Sequence, residues 1–192
     1  MPRPPIENAR DRLLSAALNL FARRGTERVN SNAIARRAGL GIGTFYTHFP
    51  DKHALLREIQ IRTVSGLRAA RVEALRGAGV RPVDQVRASV GAAIDFASDH
   101  AEAYRVTFGR ERAGAAAHGP VVTESSRPTA EALDRLKSVG RLDASLDVEL
   151  AARAYSAMEV GTILWWLEDS NRAARDALAE TLARMHPAIA AS

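Results

Sequence analysis

The sequence predicts an all-α protein of about nine helices, and three observations predict it. Apolar residues recur at helical spacing, first in Leu13, Ala16, Ala17, Leu20 and Phe21, the i, i+3, i+4, i+7 face of an amphipathic helix. No stretch alternates apolar and polar residues as a half-buried strand does. Glycines and prolines fall between the periodic runs, at Gly25, Gly39, Pro50, Gly77-Ala78-Gly79 and Pro82, where helices should stop and start.

Residues 7–24 read as the first helix, with Gly25 as its stop. A connector follows, in which Val29 should tuck under the module. Ser31 is the expected N-cap of a second helix, its hydroxyl accepting from a first-turn N–H. Ala33, Ile34, Ala38 and Leu40 are spaced to face a core. Ala38-Gly39-Leu40 is the joint, because Gly39 can adopt the positive φ that ends a helix and turns the chain. A third helix runs from about Ile42 to His48, and two short helices around a glycine turn make a helix-turn-helix. Phe45 and Phe49 belong to the core. Asp51 then caps a long helix to about Arg76, with Leu55, Leu56, Ile59, Val64, Leu67 and Leu75 as its apolar stripe.

Beyond Gly77-Ala78-Gly79, Pro82 suits the first turn of a helix reaching about His100. Residues 101–112 form a shorter one, and 113–120 carry no pattern. Residues 121–139 are periodic, but Pro128 must kink that helix or mark its start. A loop at 142–146 leads to helices at 147–168 and 171–189. The domain organisation is thus residues 1–50 as a helix-turn-helix DNA-binding domain and 51–192 as a larger helical domain.

Composition narrows the function. The 192 residues include no cysteine, which excludes disulfides and thiolate metal sites. No apolar run approaches the ~18–20 residues of a membrane helix, and the N-terminus carries no signal-like segment. A cytoplasmic protein without membrane contact is expected. The net charge of +5 is unevenly placed. Residues 1–57 hold ten basic and four acidic residues, net +6, whereas the rest hold 17 basic and 18 acidic, net −1. A basic module joined to a near-neutral one fits polyanion binding by the first. The five histidines show no ligand spacing, and no nucleophile–base pair or carboxylate dyad stands out, so no metal, cofactor or enzymatic activity is expected. Gly39-Leu40-Gly41-Ile42-Gly43 follows no strand and lacks the lysine ending of a phosphate loop.

A helix-turn-helix lays its second helix in the major groove while the first crosses the backbone. On that geometry Tyr46, His48 and Lys52 meet phosphates. Ile42 and Thr44 face base edges, through contact with a thymine methyl and through a hydroxyl. Ser31, Asn32 and Arg36 add backbone contacts. Gly43 permits either close approach to DNA or tight helix packing.

Ile34-Ala35, Ala38-Gly39-Leu40, Gly43-Thr44, Tyr46, His48-Phe49, Lys52 and Leu55-Leu56 together resemble the signature of the TetR family of bacterial transcriptional regulators, and residues 16–25 resemble its first helix. Gly41 and Ile42 depart from it, standing where a polar cap and a polar or basic residue are usual. The resemblance implies a homodimeric repressor on a pseudo-palindromic operator in double-stranded DNA, released by a small, mostly apolar effector. It implies an effector pocket in the helical part, for which Ile94, Phe96, Tyr104, Phe108, Tyr155, Met158 and Trp165 are candidates, with Arg105 and Arg110 as partners for an anionic head group. It also implies a dimer interface on the last two helices, with Ala154, Ala157, Gly161, Leu164, Leu178 and Leu182 as candidates. The competing readings are a ligand-independent DNA-binding protein and a small-molecule-binding helical protein without DNA binding.

Overall fold

The computed structural model describes residues 8–109 and 118–190, with backbone alone for 118–125 and 190. All regular structure among them is helical. The order is α1 (Ala9–Arg24), α2 (Ser31–Arg37), α3 (Ile42–His48), α4 (Lys52–Arg76), α5 (Pro82–Asp99), α6 (Ala101–Phe108), α7 (His118–Ser138), α8 (Val148–Glu168), α9 (Arg175–Arg184) and α10 (Pro187–Ala190). A 3-10 turn at Ser170–Arg172 precedes α9.

Most boundaries fall where the residues require. Gly25, at φ 76°, ends α1, and its N–H donates to Phe21 O. Asp51 Oδ1 accepts from Ala54 N at 2.7 Å at the start of α4, and Asp147 Oδ1 accepts from Leu150 N at 3.0 Å at the start of α8. Two expectations need correction and one open alternative is decided. Asn30, not Ser31, caps α2: its Oδ1 accepts from Ala33 N at 2.9 Å, and Ser31 is already the first helical residue. Of the two places open to Pro128, within the helix or at its start, the structure has the first, inside α7. The single helix expected over 171–189 is broken into the 3-10 turn, α9 and α10. Pro187 lacks an N–H and cannot continue α9, so it opens α10 instead.

The chain forms two compact units, residues 1–63 with 102–117 and residues 64–101 with 118–192. The division between these two units falls within α4. In the first unit α1, α2, α3 and the start of α4 surround one core. Leu13, Phe21, Ile34, Phe45 and Leu55 are fully buried there, and Val106 of α6 joins them. Val29 is buried beneath α2, as its place in the connector predicts. In the second unit α7 packs on α8 and α9 packs on α5, with Ile94, Leu133, Ile163 and Leu182 fully buried. Arg71 Nη2 from the C-terminal half of α4 donates to the buried Glu159 Oε2 of α8 at 2.6 Å.

Candidate nucleic-acid interface

The turn between α2 and α3 is built by backbone hydrogen bonds. Leu40 N donates to Ala35 O at 2.9 Å and Gly39 N to Arg36 O at 3.1 Å, the two bonds of a Schellman motif. Gly39 sits at φ 67°, and Leu40 closes the motif against the core. Arg12 Nη2 donates to Ala38 O at 2.7 Å, so α1 occupies one of the carbonyls left at the end of α2. The turn is thereby fixed from both sides, which sets the direction in which α3 leaves it.

Along α3 the core residues and the outward residues separate cleanly. Phe45 is fully buried, edge-on to Tyr46 with ring centroids 5.4 Å apart, and Phe49 follows it into the core. Ile42 and Tyr46 face outward, at 37% and 57% exposure. Thr44 and His48 are half-buried. The Thr47 hydroxyl donates to Gly43 O at 3.0 Å. A Cβ added at Gly43 would meet no atom within 4 Å. Packing within the chain therefore does not demand glycine there, which leaves the bare backbone for an approaching partner. Gly41 caps the helix with no side-chain bond, as its lack of an acceptor requires.

The start of α4 abuts this surface. Asp51's carboxyl is held below its ordinary range, chiefly by the bond from Ala54 N, so it remains a charged cap. Lys52 differs from the free phosphate donor expected. Its ammonium donates to Thr26 O at 3.1 Å and lies 3.5 Å from Glu27 O, tying α4 to the α1–α2 connector. An ammonium carries three donors, so at least one is left for a phosphate.

Arg10, an exposed residue of α1, holds the far side. Its Nη1 donates to His48 O at 3.1 Å and its guanidinium stacks over Phe49 at 4.5 Å. It also pairs with Glu58 through both nitrogen arms, Nε to Oε1 at 3.2 Å. Arg10 is the main reason the Glu58 carboxyl titrates below its ordinary range, with Arg62 adding to it. No periodicity rule marks such a residue, because its partners are 38 and 48 positions away.

Asn32, Arg36 and Ile42 come together on the wall of one open concavity of about 610 Å³, shared with Arg24, Arg28 and Asn30. The first two of those arginines and Asn30 were not among the candidates from sequence. Arg24 and Arg28 flank the α1 stop, where a basic residue looks like an ordinary solubilising one.

The other candidates are scattered. Tyr104 and Phe108 stack on each other at 4.6 Å in the first unit, while Ile94, Phe96, Tyr155 and Met158 belong to the second. Trp165 must be withdrawn from any interior pocket: it is 46% exposed, with Arg172 over its ring at 5.2 Å. Its neighbour Trp166 is the buried one, donating Nε1–H to Ala173 O at 2.9 Å. Leu178 and Leu182 must be withdrawn from the interface candidates, because they are buried within their own chain on α9. Ala154, Ala157 and Gly161 are exposed and Leu164 is half-buried. Arg110 lies outside the described residues.

A basic helix-turn-helix with an outward-facing second helix defines a DNA-binding protein. Residues 13–59 match the model of the bacterial regulatory proteins of the tetR family. The chain is 28% identical over 181 residues to an HTH-type transcriptional activator, FasR, of Mycolicibacterium smegmatis, covering 93% of this chain and 81% of that one. It is 44% identical over 55 residues to an HTH-type transcriptional regulator of Staphylococcus aureus, where the match spans 29% of each chain. In fold it is similar to the transcriptional regulator FadR of Bacillus subtilis, solved in complex with stearoyl-CoA, at TM-score 0.77 and 16% identity over 93% of this chain and 98% of that one. Residues 13–59 thus match the DNA-binding module of the tetR family, and most of the chain is similar to an HTH-type DNA-binding transcriptional regulator. Among the described residues no helix is long and apolar enough to cross a membrane, and no group of three or more His, Asp or Glu is placed to hold a metal ion.

Proposed function

We propose that the protein is an effector-responsive repressor that binds a pseudo-palindromic operator as a homodimer in the cytoplasm. The observation that carries the DNA reading is the outward face of α3. Ile42, Gly43 and Tyr46 face outward there, on a helix fixed at both ends. Ile42 and Thr44 read base edges, while Ser31, Asn32, Arg36, Tyr46, His48 and Lys52 hold the backbone and Gly43 admits close approach.

The dimer reading rests on one face of α8. Leu150, Ala154, Ala157, Gly161 and Trp165 are all exposed and follow one another at helical spacing. Small central residues let two copies of the helix approach closely. The first effector class to test is a long-chain acyl-CoA, because a regulator of this fold was solved holding stearoyl-CoA. Such an effector must bind one conformation better than another to change DNA affinity, and α4, which starts in one unit and ends in the other, carries the change.

The test is selection of bound sequences from random DNA, followed by titration of the recovered site in the presence of stearoyl-CoA. A paired, inverted consensus and a drop in affinity with the acyl-CoA are expected. No consensus would overturn the operator reading. A consensus with no response to a broad effector panel would leave a ligand-independent DNA-binding protein.

A further inference from the structure

We infer that Arg24 and Arg28, with Arg36, form a second grip on the DNA backbone beside the recognition helix. This rests on the DNA-binding reading above. The first observation is convergence. Three guanidinium groups from α1, the α1–α2 connector and α2 line one concavity, and Ile42, the first residue of α3, lines it too. Whatever fills it sits directly beside the N-terminal end of the helix that enters the groove.

The second observation is electrostatic. Four other arginines of the same unit are engaged: Arg10 with Glu58, Arg62 with Asp11 and Glu58, Arg12 with Ala38 O, and Arg37 Nη2 with Asn19 Oδ1 at 3.2 Å. The guanidinium groups of Arg24, Arg28 and Arg36 make no ion pair or hydrogen bond among the described residues, and all three residues are exposed. Glu27, the acid between Arg24 and Arg28, does not line the concavity. Three like charges left unneutralised on one concave wall raise the local potential for an anion.

The third observation concerns fit. Asn30 and Asn32 interleave with the arginines on the same wall, and Asn30 is held in place by its cap bond to Ala33 N. Guanidinium and amide donors around an open trough match a continuous phosphodiester strand, with arginine able to contact phosphate oxygens in bidentate fashion. A major-groove helix is flanked by such a strand. The occupant is therefore DNA backbone. The phosphates of a free acyl-CoA share the same chemistry and form the rival source.

The experiment measures operator affinity against salt for the full-length wild type and for R24Q/R28Q. Neutralising each phosphate contact contributes roughly 0.9 to the slope of log affinity against log salt. Two arginines in each of two protomers should thus lower the slope by roughly 2 to 4. The selected consensus should stay the same, since phosphate contacts carry no sequence information. R24K/R28K should restore most of the slope. R23Q/R68Q, the same charge change at exposed residues off the concavity, should move it far less. A slope for R24Q/R28Q equal to that of R23Q/R68Q overturns the proposal while leaving the DNA reading intact. Unchanged DNA slope with weakened stearoyl-CoA binding would assign the concavity to the ligand instead, and also overturns it. Absence of any specific site for the wild type fails the underlying reading.

Discussion

At the scale of single residues, two positions carry separable predictions. Alanine at Gly43 meets nothing in the chain, and inside a helix alanine is favoured over glycine by roughly 0.5–1 kcal/mol. Gly43→Ala should therefore raise the thermal midpoint slightly while weakening operator binding; a loss of stability, or unchanged affinity, would contradict the role given to its bare backbone. His186 is buried against the Tyr155 ring at 4.5 Å, and its Nδ1 accepts from Ala188 N at 3.1 Å. That bond requires an unprotonated nitrogen. Burial, with the charge of Arg71 adding to it, pushes the imidazole down to about 4. A folded-state value below the unfolded value of ~6.5 means that the folded state binds fewer protons between the two. The stabilisation is complete above about pH 6.5 and lost as the pH falls toward 4, by about 3 kcal/mol at the limit. Denaturant midpoints measured from pH 7 to 4.5 should fall more steeply for the wild type than for His186→Phe, and parallel curves would refute it.

Elements were legible where a local rule governs them and not where distant partners do. Gly25, Gly39 and Asp51 each act within four residues of themselves, and each was placed correctly by its own chemistry. Asn30 was passed over because Asn and Ser are both good caps, and only the backbone turn decides between neighbours. The breaks around Pro187 were missed because periodicity continues across them. The candidate site divides in the same way. The outward face of α3 follows from spacing, whereas the bonds of Lys52 to the connector and of Arg10 across α1, α3 and α4 depend on the folded arrangement. Arg10→Ala tests that arrangement, since it removes the Glu58 pair, the bond to His48 O and the stack on Phe49 together. A loss of about 1–2 kcal/mol is expected for such a mostly exposed cluster. Glu58 then loses its main reason for a depressed value, so the acid limb of stability should move upward in pH. An unchanged acid limb would show that the pair is absent in solution.

For the whole molecule, the sequence pointed correctly to all-helical architecture, and the compact units divide within α4. That division depends on α6, whose Val106 joins a core formed by residues more than forty positions earlier. The sequence could not separate Leu178 and Leu182, buried on α9, from the exposed face of α8. That face can be tested without disturbing the core, because Ala157 and Gly161 are both exposed. A157E/G161E should shift the protein from dimer to monomer in sedimentation and sharply weaken operator binding, with helicity unchanged; a persistent dimer would move the interface elsewhere. The outward residues of α3 have a different consequence. Ile42, Gly43 and Tyr46 face outward, whereas the turn that aims them is held by Arg12, Gly39 and Leu40. On the proposed reading, operator choice and the aim of the helix thus rest on different residues, so a new operator preference can be selected on the outward face of α3 while the residues that aim it stay unchanged.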